Sequence, residues 1–261
     1  MADVRFQFGK NWLDYLATVD EARIQQAVAR LREALGDLTG KSFLDAGCGS
    51  GIHSLAAVRL GASRVHSFDF DQQSVDCARE IKRRFAPDAP WTIEQGSVLD
   101  ETYLRSLGRF DVIYSWGVLH HTGDMWKALD LISRAGAPTT MVSLYADQGV
   151  LSRAWRALKR IYSAYPFSRR AIEGLSLITL WGPKTLVRTH RVLPDWREYR
   201  RKRGMSPWHD VVDWAGGYPY EFARPDEVIS FFSSRGFKVS KTNLPHGVIR
   251  VNEFVFQHSG A

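Results

Sequence analysis

Apolar positions alternate between two rhythms along the first 146 residues and the last 37. KSFLDA, SRVHSFDF, WTIEQ, FDVIYSW and TTMVSLY are short runs rich in Val, Ile, Leu and Phe. Between them, GIHSLAAVRLG, QQSVDCAREIKRRF and DMWKALDLISRA repeat apolar residues at three- and four-residue intervals. The first set reads as buried strands and the second as helices, an alternation that implies a parallel sheet covered on both faces. An amphipathic helix over 20–36, with Ile24, Ala27, Val28, Leu31 and Leu35 on one side, precedes the first strand and ends at Gly36. PDEVISFFSSRG reads as a last helix, followed by FKVSKTN and IRVNEFVFQ as a closing pair of strands.

Past Tyr145 the rhythm breaks. VLSRAWRALKRIY predicts a basic amphipathic helix that buries Val150, Leu151, Ala154, Trp155, Leu158, Ile161 and Tyr162, with Arg153, Arg156, Lys159 and Arg160 on the solvent side. The proline-punctuated stretch from Pro166 to Pro225 reads as irregular. Residues 147–224 are therefore expected to be an insertion, a lid between a core of 1–146 and its completion by 225–261. Charge sharpens this division. The chain carries a net +7, yet 147–224 alone holds 15 Lys/Arg against 7 Asp/Glu and five of the nine tryptophans. An electropositive, aromatic surface suits an anionic or planar partner.

Composition excludes several classes. No apolar run approaches the roughly 18 residues that cross a bilayer, and the charged first residues lack a secretory signal pattern. Cys48 and Cys77 are too few for a disulfide framework. A cytoplasmic protein without a metal site is the expectation.

The densest chemistry lies in FLDAGCGSG, between the first strand and its helix. Gly47, Gly49 and Gly51 clear side chains where a ligand must approach the backbone. The spacing differs from the G-x-G-x-x-G of dinucleotide sites, and Asp45 just before the loop repels a pyrophosphate but attracts an amino group. This D-x-G-x-G-x-G run resembles the signature of class I S-adenosylmethionine-dependent methyltransferases. The resemblance implies an α/β fold with a seven-stranded, mostly parallel Rossmann-like methyltransferase sheet, helices on both faces, and a helical or irregular lid. It also implies S-adenosyl-L-methionine as cofactor, S-adenosyl-L-homocysteine as product, and no metal. By it, Asp45 orients the methionine end, directly or through water, and the loop of Gly47, Cys48, Gly49, Ser50 and Gly51 contacts it. Asp69, ending the second strand, takes the ribose, with Phe70 over the adenine and Asp71 as a helix cap. Ser97 and Val98 in EQGSVLD flank the base, while Asp100 either contacts the adenine amino group or caps the next helix.

FDVIYSWGVLHHTGDMWKAL resembles the acceptor-side segment of the small-molecule branch of that class, ubiquinone-pathway methyltransferases included. This places Ser115 near the cofactor, Trp116 beside both cofactor and acceptor, and His120 or His121 in the cavity as general base. Tyr145, Trp214, Tyr218 and Tyr220 are the expected acceptor contacts. His209 beside Asp210 is a second candidate base, and His246, Arg250, Asn252 and Glu253 lie near the same loops. The chain lacks the Asn/Asp-Pro-Pro-Tyr/Phe pattern of nucleobase amino methylation. Transfer to a hydroxyl of a small metabolite (a sugar, phenol or natural product), with an anionic acceptor favoured by the basic lid, is the leading expectation. RNA methylation, and membrane-associated methylation of a lipid or quinone, are the alternatives; no RNA-binding module is recognisable.

Overall fold

Each buried strand of the chain presents alternate side chains to two different cores, and this organises the whole molecule. The computed structural model describes residue 16 and residues 19–187, 207–246 and 250–260. Seven strands, β1 (Ser42–Ala46), β2 (Arg64–Asp69), β3 (Trp91–Gln95), β4 (Val112–Trp116), β5 (Thr139–Tyr145), β6 (Phe237–Asn243) and β7 (Val251–His258), form one sheet in the order β3-β2-β1-β4-β5-β7-β6. β1 to β5 pair in parallel, whereas β7 runs antiparallel between β5 and β6. The expected seven-stranded, mostly parallel sheet is the observed one.

Helices cover both faces. On one side α1 (Glu21–Leu35), α2 (Ile52–Arg59) and α3 (Gln72–Phe85) pack on Phe43, Val65, Val112 and Tyr114. On the other α4 (Glu101–Ser106), α5 (Met125–Arg134) and α9 (Pro225–Ser233) pack on Leu44, Phe68, Ile113, Val142, Phe254 and Phe256. Neighbours in sequence such as Phe43 and Leu44 thus enter opposite cores, as the two-residue period of a strand requires. α1 begins where the Asp20 carboxylate accepts the Arg23 amide, and Gly36 ends it at φ 75°. Asp71 and Asp100 likewise cap α3 and α4.

Between β5 and α9 lie α6 (Val150–Ala164), a 3-10 turn (Pro166–Ser168), α7 (Arg169–Val187) and α8 (Pro207–Gly216). Two expectations fail here. The stretch after Pro166 is not irregular, because α7 and α8 occupy much of it. Pro207 opens α8, where a missing N–H is harmless, and Pro183 lies within α7, so proline content alone misjudged the segment. The face of α6 was also misassigned: its buried positions are Ser152, Trp155, Lys159 and Tyr162, while Val150, Leu151 and Ile161 are exposed. Packing of Trp155 against Trp214 and Tyr220 fixed the rotation of this helix, against the count of apolar side chains.

The second core is closed by aromatics. Phe232 of α9 stacks on Phe256 at 4.1 Å and meets Phe237 edge-on, tying helix, hairpin and sheet together. Because Phe232 is fully buried, Phe232→Ala is expected to lower unfolding free energy by about 3–5 kcal/mol, measurable as a shift in the urea midpoint.

Candidate active site

The carboxyl ends of β1, β2 and β4 meet at the glycine loop. The amides of Gly47 and Cys48 both donate to the Phe68 carbonyl, at 2.9 and 3.0 Å. Beside them the Gly49 amide donates to Asp69 Oδ2 at 2.9 Å and the Asp71 amide to Oδ1 at 3.0 Å. Gly47, Gly49 and Gly51 all hold positive φ, and a Cβ on Gly51 would stand 2.8 Å from that of Ala78. Only glycine serves there. Burial pushes the Asp69 carboxyl above its ordinary range, opposed by backbone bonds from Asp71, Gly49 and Phe70. Asp69 nonetheless remains only half-buried, with Phe70 exposed beside it.

Asp45 is buried, with 2% of its surface exposed, and accepts the Ser54 hydroxyl at 2.5 Å. Behind it Ser67 donates to Ser54 and the Trp91 indole N–H donates to Ser67, each at 2.7 Å. Burial raises the Asp45 carboxyl to about 7 against the Ser54 bond, with the charge of Asp69 adding to the rise. Ser115 is also buried and bonds the Ala46 carbonyl, joining β4 to β1. At the end of β4 Gly117 sits at φ 78° with nothing within 4 Å of an added Cβ, so this edge of the loop is open.

A strap crosses the ends of β4 and β5. The Glu221 amide donates to the His120 carbonyl, the Ala223 amide to that of Tyr145, and Asp147 returns a bond to Ala223. The Glu221 carboxylate accepts the Gly123 and Met125 amides at the start of α5, an acid placed at a helix N-terminus. His121 Nδ1 lies 2.7 Å from the Pro219 carbonyl. A carbonyl only accepts, so Nδ1 carries the hydrogen and Nε2 is the basic nitrogen. His120 bonds the Ser143 carbonyl, while its Nδ1 is buried without a partner. Tyr145 packs against both histidines, at 4.0 and 5.5 Å between ring centres, and against Trp214 and Tyr220. Lys159 reaches in from α6, donates to the Trp214 carbonyl and lies over the Trp214 ring.

Burial holds both histidines neutral: His121 falls to about 3 and His120 well below its ordinary value. Among the described residues no group of three or more His, Cys, Asp and Glu side chains is placed to hold a metal ion.

A family model described as a methyltransferase domain matches residues 37–172, more than half of the chain. The chain belongs to this methyltransferase family. Its fold is that of the class I, S-adenosylmethionine-dependent enzymes. It is similar in structure to the magnesium protoporphyrin IX methyltransferase of Synechocystis PCC 6803 with bound SAH, at a TM-score of 0.55 and 16% identity, covering 91% of this chain and 83% of that one. An S-adenosylmethionine-dependent methyltransferase of Mesorhizobium loti aligns at a TM-score of 0.53 and 16% identity over 88% and 96%. In sequence it matches the ribosomal protein L11 methyltransferase of Thermotoga maritima at 40% identity over 76 residues, 29% of this chain and 26% of that protein. The match to the enzyme of Tolumonas auensis is 48% over 48 residues, 18% and 16%. The chain thus spans about a quarter or less of the length of these relatives.

Of the expected residues, Asp45, Asp69, the glycine loop and Ser115 lie at the carboxyl ends of β1, β2 and β4, and both histidines, Tyr145, Trp214 and Tyr220 cluster beyond the ends of β4 and β5. The other expected residues have their own surroundings. Cys48 and Val98 are buried in the two cores, Ser50 is buried, and Ser97 accepts the Leu99 amide. Trp116 turns its indole N–H to Glu253 of β7, between Arg30 and His53, and so faces the α1 side. Tyr218 lines a groove with arginines of α6. The side chains of His209 and Asp210 lie outside the described residues. Pro219, Glu221 and Lys159 escaped the sequence reading, because a backbone carbonyl, a distant cap and an inward lysine carry no local signature.

These shifts have opposite signs in stability. His121 (about 3) and His53 (lowered to about 4 by burial and then Arg30) sit below their ordinary 6.5, so the unfolded chain binds more protons and stability falls as pH drops below 6.5. Asp45, raised from 3.8 to about 7, contributes most below 3.8 and loses that contribution as pH rises through 7. Urea midpoints across pH 4–7 are expected to fall less steeply on acidification in His53→Gln than in wild type, and more steeply in Asp45→Asn.

Proposed function

We propose that the chain transfers the methyl group of S-adenosyl-L-methionine to a hydroxyl oxygen of a polar small molecule. The observation that carries this reading is the convergence of two halves at one end of the sheet. The Asp69 carboxylate is held rigid by the Gly49 and Asp71 amides, and the neutral His121 is oriented by Pro219.

The loop fits the cofactor by its own chemistry. Asp69 is half-buried, and its two oxygens keep acceptor capacity beyond the backbone bonds they accept, as a ribose diol requires. Phe70 is exposed where an adenine would lie, and the edge at Gly117 is open. The amides of residues 48–51 would face the methionine end, and Asp45, tied to Ser54, sets the loop's position from beneath. When bound, the cofactor supplies an electrophilic methyl on a sulfonium. The protein's part is to align the acceptor in line with it, exclude water and receive a proton. Nε2 of His121, neutral in its buried setting, is the group that would receive the hydroxyl proton as the methyl moves. The aromatic wall of Tyr145, Trp214 and Tyr220, with the unpartnered His120 Nδ1 and Trp214 Nε1, favours an acceptor that is flat and polar.

Asp69→Ala is expected to weaken S-adenosyl-L-homocysteine binding about a hundredfold by calorimetry, as loss of charge-assisted bonds predicts. His121→Gln should leave that affinity unchanged while lowering kcat roughly a hundredfold or more. In extracts given methyl-labelled cofactor, label should enter the aqueous small-molecule pool. Label confined to RNA, protein or lipid would overturn the acceptor class.

A further inference from the structure

Helix α6 is amphipathic in the wrong sense. Its buried stripe, Ser152, Trp155, Lys159 and Tyr162, includes a hydroxyl and an ammonium. Its outer stripe, Val150, Ala154, Ala157 and Ile161, is wholly apolar, follows four-three-four spacing and is exposed, Val150 to 79% and Ile161 to 43%. Such a stripe on the solvent side of a folded protein marks a surface that something else covers.

The flanks of the stripe say what. Arg153, Arg156 and Arg160 run alongside it and, with Ala157, Ile161 and Tyr218, line an open groove of roughly 550 Å³. Arg156 lies 5.3 Å over the Phe222 ring and its charge acts on Glu221. From Gln148 to Ile172 the chain holds six Lys/Arg and no Asp or Glu. A second copy packed on this stripe would set arginine against arginine, so self-pairing is disfavoured. The turn after α6 adds Tyr165 and Phe167, their rings 5.7 Å apart and 53% and 85% exposed; after Ser168 come Arg169, which donates to the Tyr162 carbonyl, and Arg170, 3.7 Å from Glu173. α7 then exposes Leu175 and Ile178.

We propose that α6, the turn and the start of α7 dock on an anionic lipid bilayer. Aliphatic side chains enter the acyl boundary, the aromatic pair sits at the headgroup level, and the arginines meet lipid phosphates. A nucleic acid would satisfy the arginines but leave Val150, Leu151, Ile161 and Ile178 in water, whereas a bilayer covers both. Tyr218 on the groove wall immediately precedes Pro219, which orients His121. Docking therefore brings the acceptor side of the site to the lipid boundary. No helix among the described residues is long and apolar enough to cross a membrane, so the contact is peripheral.

The test is co-sedimentation of the full chain with vesicles of phosphatidylcholine alone and of equal parts phosphatidylcholine and phosphatidylglycerol. Binding is expected only to the anionic vesicles, weakening as salt is raised. The triple variant Arg153→Gln/Arg156→Gln/Arg160→Gln should partition on the order of a hundredfold less. Val150→Ser/Ile161→Ser should lose about tenfold or more. Both change surface positions only, and circular dichroism should confirm an unchanged fold. Sedimentation with neither vesicle, or equal binding by wild type and both variants, overturns the proposal. So does a dimer by light scattering that Val150→Ser/Ile161→Ser abolishes. Binding to single-stranded RNA without vesicle binding, lost in the arginine variant alone, would assign the surface to nucleic acid instead.

Discussion

One carbonyl, that of Phe68, accepts the amides of both Gly47 and Cys48, and the organisation of the cofactor end follows from that shared bond. It folds the loop after β1 sharply over the end of β2. The next amide, Gly49, is thereby delivered to the Asp69 carboxylate. An acid on one strand and a turn after another thus become a single rigid unit, with its geometry determined before any ligand arrives. The glycines are the residues that permit it, because the loop needs positive φ three times within five residues. Beneath it the Trp91–Ser67–Ser54–Asp45 chain of hydrogen bonds satisfies a carboxylate that burial would otherwise strand.

The histidine cluster beyond β4 and β5 is assembled differently. No local turn creates it; a strap 98 residues away in sequence does, through the Pro219 bond to His121 and the Glu221 carboxylate over the start of α5. Burial then holds both histidines neutral. The same burial makes the assembly costly at low pH, so neutral histidines and a fold sensitive to acid are two results of one desolvation.

Helix α6 shows how far such tertiary choices reach. Its apolar side chains outnumber its other inward candidates, yet Trp155 and Tyr162 turn it so that Lys159 enters the aromatic cluster and Val150 and Ile161 face out. Aromatic area outweighs aliphatic count. A rotation of the helix that buries more of the aliphatics would have left Trp155 without Trp214 and Tyr220.

The strands, the helices around them, the D-x-G-x-G-x-G loop and the cap Asp71 were legible in the chain, because each is governed by neighbours within a few residues. Strand period, glycine φ and side-chain-to-amide capping all act over that range. The partner of Trp116, the tautomer of His121, the burial of Lys159 and the helical state of 169–187 were not. Each rests on contacts between segments far apart in sequence: Glu253 with Trp116, Pro219 with His121, Trp214 with Lys159. Local pattern determined what could form at each position along the chain, and packing decided which face turned inward, since only distant surfaces define what inward is.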